Sequence, residues 1–178
     1  KIKGLYVVEL QPLIDERGFF VRSYCDKALR RAGITKSIKQ INHSFTSKVG
    51  TIRGMHYQHL PHVEIKMVRC IAGEIFDVAI DLRKGSDTFL QWHGEYLSAG
   101  DFKIMVIPEG FAHGFQAIKK NTEVFYPTTA SYAPRAEAGI LFSDESIGIE
   151  WPLRATNVSD KDLKHIALTK EFKGINIK

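Results

Sequence analysis

Histidines and carboxylates crowd one stretch of the chain. His56, His59 and His62 fall within seven residues, Glu64 follows, and His113 comes later inside Pro108-Glu-Gly-Phe-Ala-His-Gly-Phe115. Two chemistries use such residues. Imidazole and carboxylate suit Fe, Mn, Ni or Zn, and His56, His62, Glu64 and His113 would supply the donors of a metal-dependent enzyme. Metal-binding strands, however, usually carry His-x-His, because a period of two turns both rings to one face. Here position 58 is Gln, and His59 and His62 flank Pro61 in loop-like sequence. The other chemistry is metal-free proton transfer. Histidine is the side chain whose ordinary pKa lies nearest neutrality, so an oriented His56 can serve as a general base. Orientation takes an acceptor on the second ring nitrogen. Asp77, Asp81 and Asp162 all qualify by type, and spacing does not choose among them.

The elements that must position these groups read as strands. Glu74-Ile-Phe-Asp-Val-Ala-Ile-Asp-Leu-Arg83 alternates, with Phe76, Val78, Ile80 and Leu82 on one face and Asp77 and Asp81 on the other. Similar runs occupy 5–10, 18–25, 52–57, 66–71, 91–97, 103–107, 114–118 and 123–128, separated by turn residues such as Asp15-Glu-Arg-Gly18, Ala72-Gly73 and Pro108-Glu-Gly110. Many short strands with turns between them predict an all-β sandwich, jelly roll or barrel. Helix is confined to short pieces: Asp26 to Gly33, with Asp26 as N-cap candidate and Gly33 closing it, and a second opening at Ser159-Asp-Lys-Asp162 with Ser159 as cap. Arg53 and His56 have opposite parity on an ideal strand, so both reach one pocket only if Gly54 marks a bulge.

Composition narrows the function classes. At 178 residues, with 44% hydrophobic and 25% charged, the chain suits one globular domain spanning 1–178 and is not wholesale disordered. No apolar run approaches the ~20 residues of a membrane-spanning helix. The start, Lys1-Ile-Lys-Gly-Leu5, lacks Met and shows no signal peptide. The net charge is +5, from 25 Lys plus Arg against 20 Asp plus Glu, and is scattered without a basic block. A small phosphorylated ligand fits that pattern better than nucleic acid, which is not expected as a partner. Cys25 and Cys70 carry no CxxC spacing and read as free thiols, which fits a cytoplasmic location.

Pro108-x-Gly-x-x-His113 and the Gly54-Met-His56 stretch resemble the two motifs of the cupin superfamily of double-sheet barrels. A longer series then appears in order: Glu16-Arg-Gly-Phe-Phe20, Asn42-His-Ser44, Arg53-Gly-Met-His-Tyr-Gln58, Lys66-Met-Val-Arg-Cys70, Gly73-Glu-Ile-Phe-Asp-Val78, the His113 segment, Tyr126, Ile149-Glu-Trp-Pro152 and Ser159-Asp-Lys-Asp162. This series resembles the dTDP-4-dehydrorhamnose 3,5-epimerase family. The resemblance implies a cupin-type homodimer that acts, with no metal or cofactor, on a nucleoside-diphosphate sugar. The reaction inverts carbons beside the ketone of a 4-keto-6-deoxyhexose. It further implies His56 as base, Asp162 as its orienting carboxylate, Lys66 at the enolate oxygen and Tyr126 as acid. On the same basis Arg17, Gln40, Asn42, Arg53, His113, Glu137 and Lys161 fall on substrate-contacting positions.

The chemistry suits those types. A C4 ketone acidifies the hydrogens on C3 and C5 because the carbanion delocalises as an enolate, so the protein must take a proton, hold the oxyanion and return a proton to the opposite face. The chain departs from the family pattern at Arg22, where a glutamate is usual, at Pro127, where lysine is common, at Ser131-Tyr132 and in His59-Leu-Pro-His-Val-Glu64. These changes surround the substrate, so dTDP- and CDP-linked sugars, and inversion of C3, C5 or both, are all compatible with the sequence.

Overall fold

A computed structural model describes residues 2–177. Thirteen strands and two short helices are present among them. In chain order they are β1 (Tyr6–Glu9), β2 (Leu13–Asp15), β3 (Gly18–Phe20), α1 (Asp26–Arg31), β4 (Gln40–Thr46), β5 (Thr51–Gln58), β6 (Lys66–Ala72) and β7 (Glu74–Asp81). There follow β8 (Trp92–Ser98), β9 (Lys103–Ile107), β10 (Phe111–Ala117), β11 (Thr122–Thr128), β12 (Glu137–Gly139), β13 (Asn157–Val158) and α2 (Asp160–Leu163). One sheet has the order β1-β9-β6-β11-β4 and the other β12-β5-β10-β7-β8, with β13 added in parallel along β5. Strands β2 and β3 form a separate hairpin whose register pairs Asp15 with Gly18. Neighbours far apart in sequence, such as β5 beside β10 and β6 beside β11, make this the jelly-roll arrangement of a cupin-type double sheet.

The period of two decides what fills the space between the sheets. Val68 and Cys70 on β6, Val124 on β11, Ile75 and Ala79 on β7 and Phe111 and Phe115 on β10 pack into one cluster from both sheets. The outer face of the second sheet carries Phe76, Val78, Ile80 and Leu82, covered by Ile140, Ile147 and Ile175 from the C-terminal third. The outer face of the first sheet, Met67, Ile104 and Val106, is covered by Leu29 of α1 together with Ile34, Ile38 and Leu10.

Strand β7 lies inside its sheet with both faces covered, and Asp77 and Asp81 are fully buried. Two local expectations change. The run expected over 18–25 ends at Phe20. Asp26 is the first residue of α1 rather than its cap, and Cys25 takes the cap position without a side-chain bond, while Asp26 pairs with Arg30 one turn on. Gly33 does follow the helix end, with φ of +87°, and Ser159 does cap α2, accepting from Asp162 N–H at 3.1 Å.

Candidate active site

The site starts from an irregularity in β5. His56 lies opposite His113 of β10 and Arg53 lies opposite Phe115, so three steps on β5 match two on β10. The additional residue is accommodated at Gly54, whose φ is +132°. A Cβ there would stand 2.5 Å from Gly114 Cα and 3.0 Å from His113 O, so only glycine fits. The bulge cancels the parity difference, and Arg53 and His56 line the same cavity.

The other edge of β5 is taken by β12 against Tyr57 and its neighbours and by β13 against Thr51 and Ile52, leaving the bulge between them. Strand β13 leads directly into α2, whose Asp162 fills that gap. Its Oδ1 lies 2.6 Å from His56 Nε2, and its Oδ2 accepts the Gly54 N–H at 3.2 Å. Burial alone would push the Asp162 carboxyl up, but the His56 contact, Gly54 N–H and Ser159 outweigh it and hold the carboxyl below its usual range. The bond to Asp162 fixes the ring proton of neutral His56 on Nε2 and leaves Nδ1 with a lone pair. The other two eligible carboxylates have different partners. Asp77 Oδ1 lies 2.7 Å from His113 Nε2, and Asp81 accepts from Arg83, Ser86 and Thr88.

Two adjoining cavities, about 470 Å³ and 260 Å³, share His56, Lys66 and Tyr126 in their walls. The larger also presents Arg53, His113 and Lys161. The smaller presents Gln40, Asn42, Glu64, Tyr132 and Glu137. Lys66, the first residue of β6, points inward with Val68 and Cys70, and its side chain is nine-tenths buried. It lies 3.5 Å from Glu64 Oε1 and 3.4 Å from the His56 carbonyl. Burial raises the Glu64 carboxyl against the pull of Lys66. Burial, then the Glu64 charge, also raise the Tyr126 phenol, so it keeps its proton and can donate. At the rim Glu137 accepts from Tyr132 Oη at 2.7 Å and from Lys161. An imidazole with a fixed tautomer, a protonated phenol and an ammonium on one cavity are the parts of a proton-transfer site at an acidic carbon.

The model of the dTDP-4-dehydrorhamnose 3,5-epimerase family matches residues 1–170. The chain belongs to that family. It is 45% identical to the dTDP-4-dehydrorhamnose 3,5-epimerase of Shigella flexneri over 164 residues, covering 92% of this chain and 90% of that one. Its fold superposes on the Bacillus anthracis epimerase solved with TDP and PPi, with a TM-score of 0.91 at 38% identity, covering 94% of this chain and 99% of the other. It matches equally well the Legionella pneumophila epimerase in complex with dTDP-4-keto-L-rhamnose, with a TM-score of 0.90 at 39% identity, covering 94% and 89%.

In this family member, ten of the eleven residues singled out in the sequence sit around the two cavities: His56, Asp162, Tyr126, Lys66, Gln40, Asn42, Arg53, His113, Glu137 and Lys161. Arg17 does not. It lies on the β2–β3 turn, highly exposed, bound to Asp15. The alternative metal set is not gathered either. His113 faces Asp77, Glu64 faces Lys66, and His62 lines neither cavity. The one group of three donors within 4.8 Å of each other among the described residues is His56, Asp162 and His165.

Four residues in or beside the site were not singled out for what they do there, and the last has no part in the proton transfer. Glu64 is a wall of the sugar-sized cavity rather than a metal donor. Gln58 ties two loops together, accepting from Ala133 N–H at 2.7 Å and donating to His62 O at 3.0 Å. Tyr132 N–H bonds Gln40 Oε1 at 2.9 Å, which places its ring at the rim. His165 lies against His56. Two of them carry a spacing signal: Glu64 two residues before Lys66, and His165 three after Asp162.

Proposed function

We propose that the chain epimerises a nucleotide-linked 4-keto-6-deoxyhexose, inverting C3, C5 or both by proton abstraction beside the C4 ketone, and that the nucleotide is dTDP. The observation that carries the reading is the His56–Asp162 pair facing one cavity with Lys66 and Tyr126. The dTDP assignment is supported by the names of the relatives and the dTDP-sugar in the Legionella structure.

His56 Nδ1 takes the proton from C3 or C5, and the C–H electron pair moves into the enolate, placing negative charge on the C4 oxygen. Asp162 stabilises the imidazolium without itself taking a proton. The Lys66 ammonium, on a largely buried side chain, meets the oxyanion, and a fixed charge of this kind lowers the barrier by roughly 3–4 kcal/mol. The Tyr126 phenol donates to the opposite face of the carbon, the enolate pair returns to form the new C–H bond, and the configuration inverts. The phenolate then regains a proton from solvent and the imidazolium loses one. The substrate's own ketone is the electron sink, so the route asks for no cofactor. Arg53 and Lys161 supply cations for the diphosphate.

The test is incubation in D2O with dTDP-4-keto-6-deoxyhexose and location of the label by NMR. Deuterium at C3, C5 or both in wild type, and its loss in His56→Ala, is the expected outcome. Wild-type protein that exchanges no deuterium refutes the reading.

We further infer a homodimer. Leu13, Ile14, Phe19 and Phe20 on the β2–β3 hairpin, Tyr6 on β1 and Ile41 and Phe45 on β4 are all more than half exposed, and exposed apolar side chains gathered on a surface mark protein–protein contacts. A partner covering the hairpin would also give Arg17 a route to the second subunit's cavity. Light scattering at micromolar concentration should return twice the 20.1 kDa chain mass, and a monomer overturns the inference. The chain acts, on this reading, as one cupin-like domain in the cytoplasm.

A further inference from the structure

The proposed chemistry leaves His165 unused, yet its placement is specific. Its ring occupies a notch at Gly139, where a Cβ would come within 2.2 Å of His165 Nε2. The ring packs edge-on against His56, 5.6 Å between centroids at 75°. His165 Nε2 lies 3.7 Å from Asp162 Oδ1, the same oxygen that meets His56 Nε2 at 2.6 Å. That nitrogen is buried and has no hydrogen-bond partner, an arrangement native structures rarely leave without a use.

We propose that His56, Asp162 and His165 bind a borderline divalent transition ion such as Zn2+, and that occupancy switches the base off. Two imidazoles and one carboxylate are a donor set of zinc sites that keep a fourth position open, and His56 and Asp162 of this set line the cavity. Zinc bonds of roughly 2.0–2.2 Å place tetrahedral donors about 3.3–3.5 Å apart. The two observed spacings lie on either side of that value, so seating the ion moves His56 away from Asp162 by under ~1 Å and draws His165 slightly in. The ion replaces the proton on His56 Nε2. A neutral imidazole keeps one ring proton, which then moves through solvent to Nδ1, so no proton is released and the lone pair that takes the substrate's proton is gone. Binding requires the three donors alone. The inhibitory consequence rests on the proposed function. Only His56 is shared with the His56, His62, Glu64 and His113 set of a metal-dependent cupin, and the ion opposes turnover rather than supporting it.

Co2+ titrated into the metal-free full-length chain reports the site by its visible absorption. One Co2+ per chain, with the intense band of a four- or five-coordinate ion displaced by Zn2+, is expected. His165→Gln should lose that band, bind at least tenfold more weakly, and turn over as wild type in the absence of metal. Zn2+ should lower wild-type kcat at unchanged KM, a chelator should reverse this, and His165→Gln should need at least tenfold more Zn2+. Ring-nitrogen NMR of the wild type tests the site without a variant: Zn2+ should shift His56 and His165 and leave His113 in place. A band or Zn2+ sensitivity that is the same in His165→Gln, or ring signals that do not move, overturns the proposal. If no sugar nucleotide is turned over, the functional reading fails while the Co2+ band still decides this one.

Discussion

Replacing Asp162 by Asn tests the tautomer argument directly. Asp162 holds two donors at once, His56 Nε2 through Oδ1 and Gly54 N–H through Oδ2. An asparagine has one oxygen and one amide nitrogen for the same two positions. Its NH2 cannot face Gly54 N–H, because two donors would meet in a gap closed by β12 and β13. The oxygen therefore stays on Gly54 and the NH2 turns to His56, which must accept on Nε2 and carry its proton on Nδ1, the nitrogen that should take the substrate's proton. The same change in a serine-protease His–Asp pair lowers kcat by roughly 10⁴ for this reason. His56 is less enclosed here, with 29% of its side chain exposed, and water can partly support the productive tautomer. A fall in kcat of about 10³–10⁴, or about 4–5 kcal/mol in the barrier, is expected. KM should change little if the charge of Asp162 acts through His56 rather than on the substrate. The Ser159 cap survives because it bonds the backbone N–H of residue 162, so the loss of stability should stay within about 1.5–3 kcal/mol, that of one charge-assisted hydrogen bond. The assay is initial-rate deuterium incorporation at C3 and C5, with thermal unfolding measured on the same sample. A folded Asp162→Asn enzyme within tenfold of wild-type kcat would refute the reasoning.

Two further outcomes follow from other parts of the structure. Tyr126→Phe removes the proposed acid but leaves the proposed base and the ammonium. Deuterium should still enter the substrate by return of the proton from the His56 side, while inverted product falls at least a hundredfold, and equal loss of exchange and inversion would contradict the assignment of acid and base to opposite faces. Asp81, fully buried, is pushed up by burial but held down to about 2 by Arg83, Ser86 and Thr88. A folded-state pKa below the unfolded value contributes stability that is present above about 4 and is lost as pH falls towards 2. Asp81→Asn should therefore cost about 2 kcal/mol at pH 7 and progressively less below pH 4, read from urea midpoints, and a gap independent of pH would rule the explanation out.

Much of the site was legible through the family resemblance, and steps along strand and helix agree with it. Lys66 shares parity with the inward-facing Val68 and Cys70, and Ser159 and Asp162 have the spacing of a cap and the N–H it accepts. Even the bulge at Gly54 could be stated as a requirement, since Arg53 and His56 could not otherwise face one space. Strand β4 was missed for a physical reason. Its alternation is inverted: Gln40, Asn42 and Ser44 turn inward towards the cavity, while Ile41, His43 and Phe45 face out. Polar residues inside and apolar ones outside look like loop when the expected pattern is a solvated outer face. On β7 alternation separated Asp77 and Asp81 from the apolar face, but alternation does not say how many layers cover a sheet, and both carboxylates are buried.

Sequence alone determined the class of fold and the need for a break in β5, because both follow from local periodicity, and it offered His56 as a base by residue chemistry; Asp162, Lys66 and Tyr126 came as what the family resemblance implies. Only the tertiary structure chose among the carboxylates. Asp77, Asp81 and Asp162 are equivalent as acceptors in one dimension, and they acquire different partners because β7 pairs with β10 along its whole length while β13 delivers α2 to the gap in β5. The same long-range pairing brought His165 beside His56 across more than a hundred residues of chain. Which side chains meet across a barrel is fixed by strand order and register, and those are set by the burial of both sheets at once rather than by any one segment.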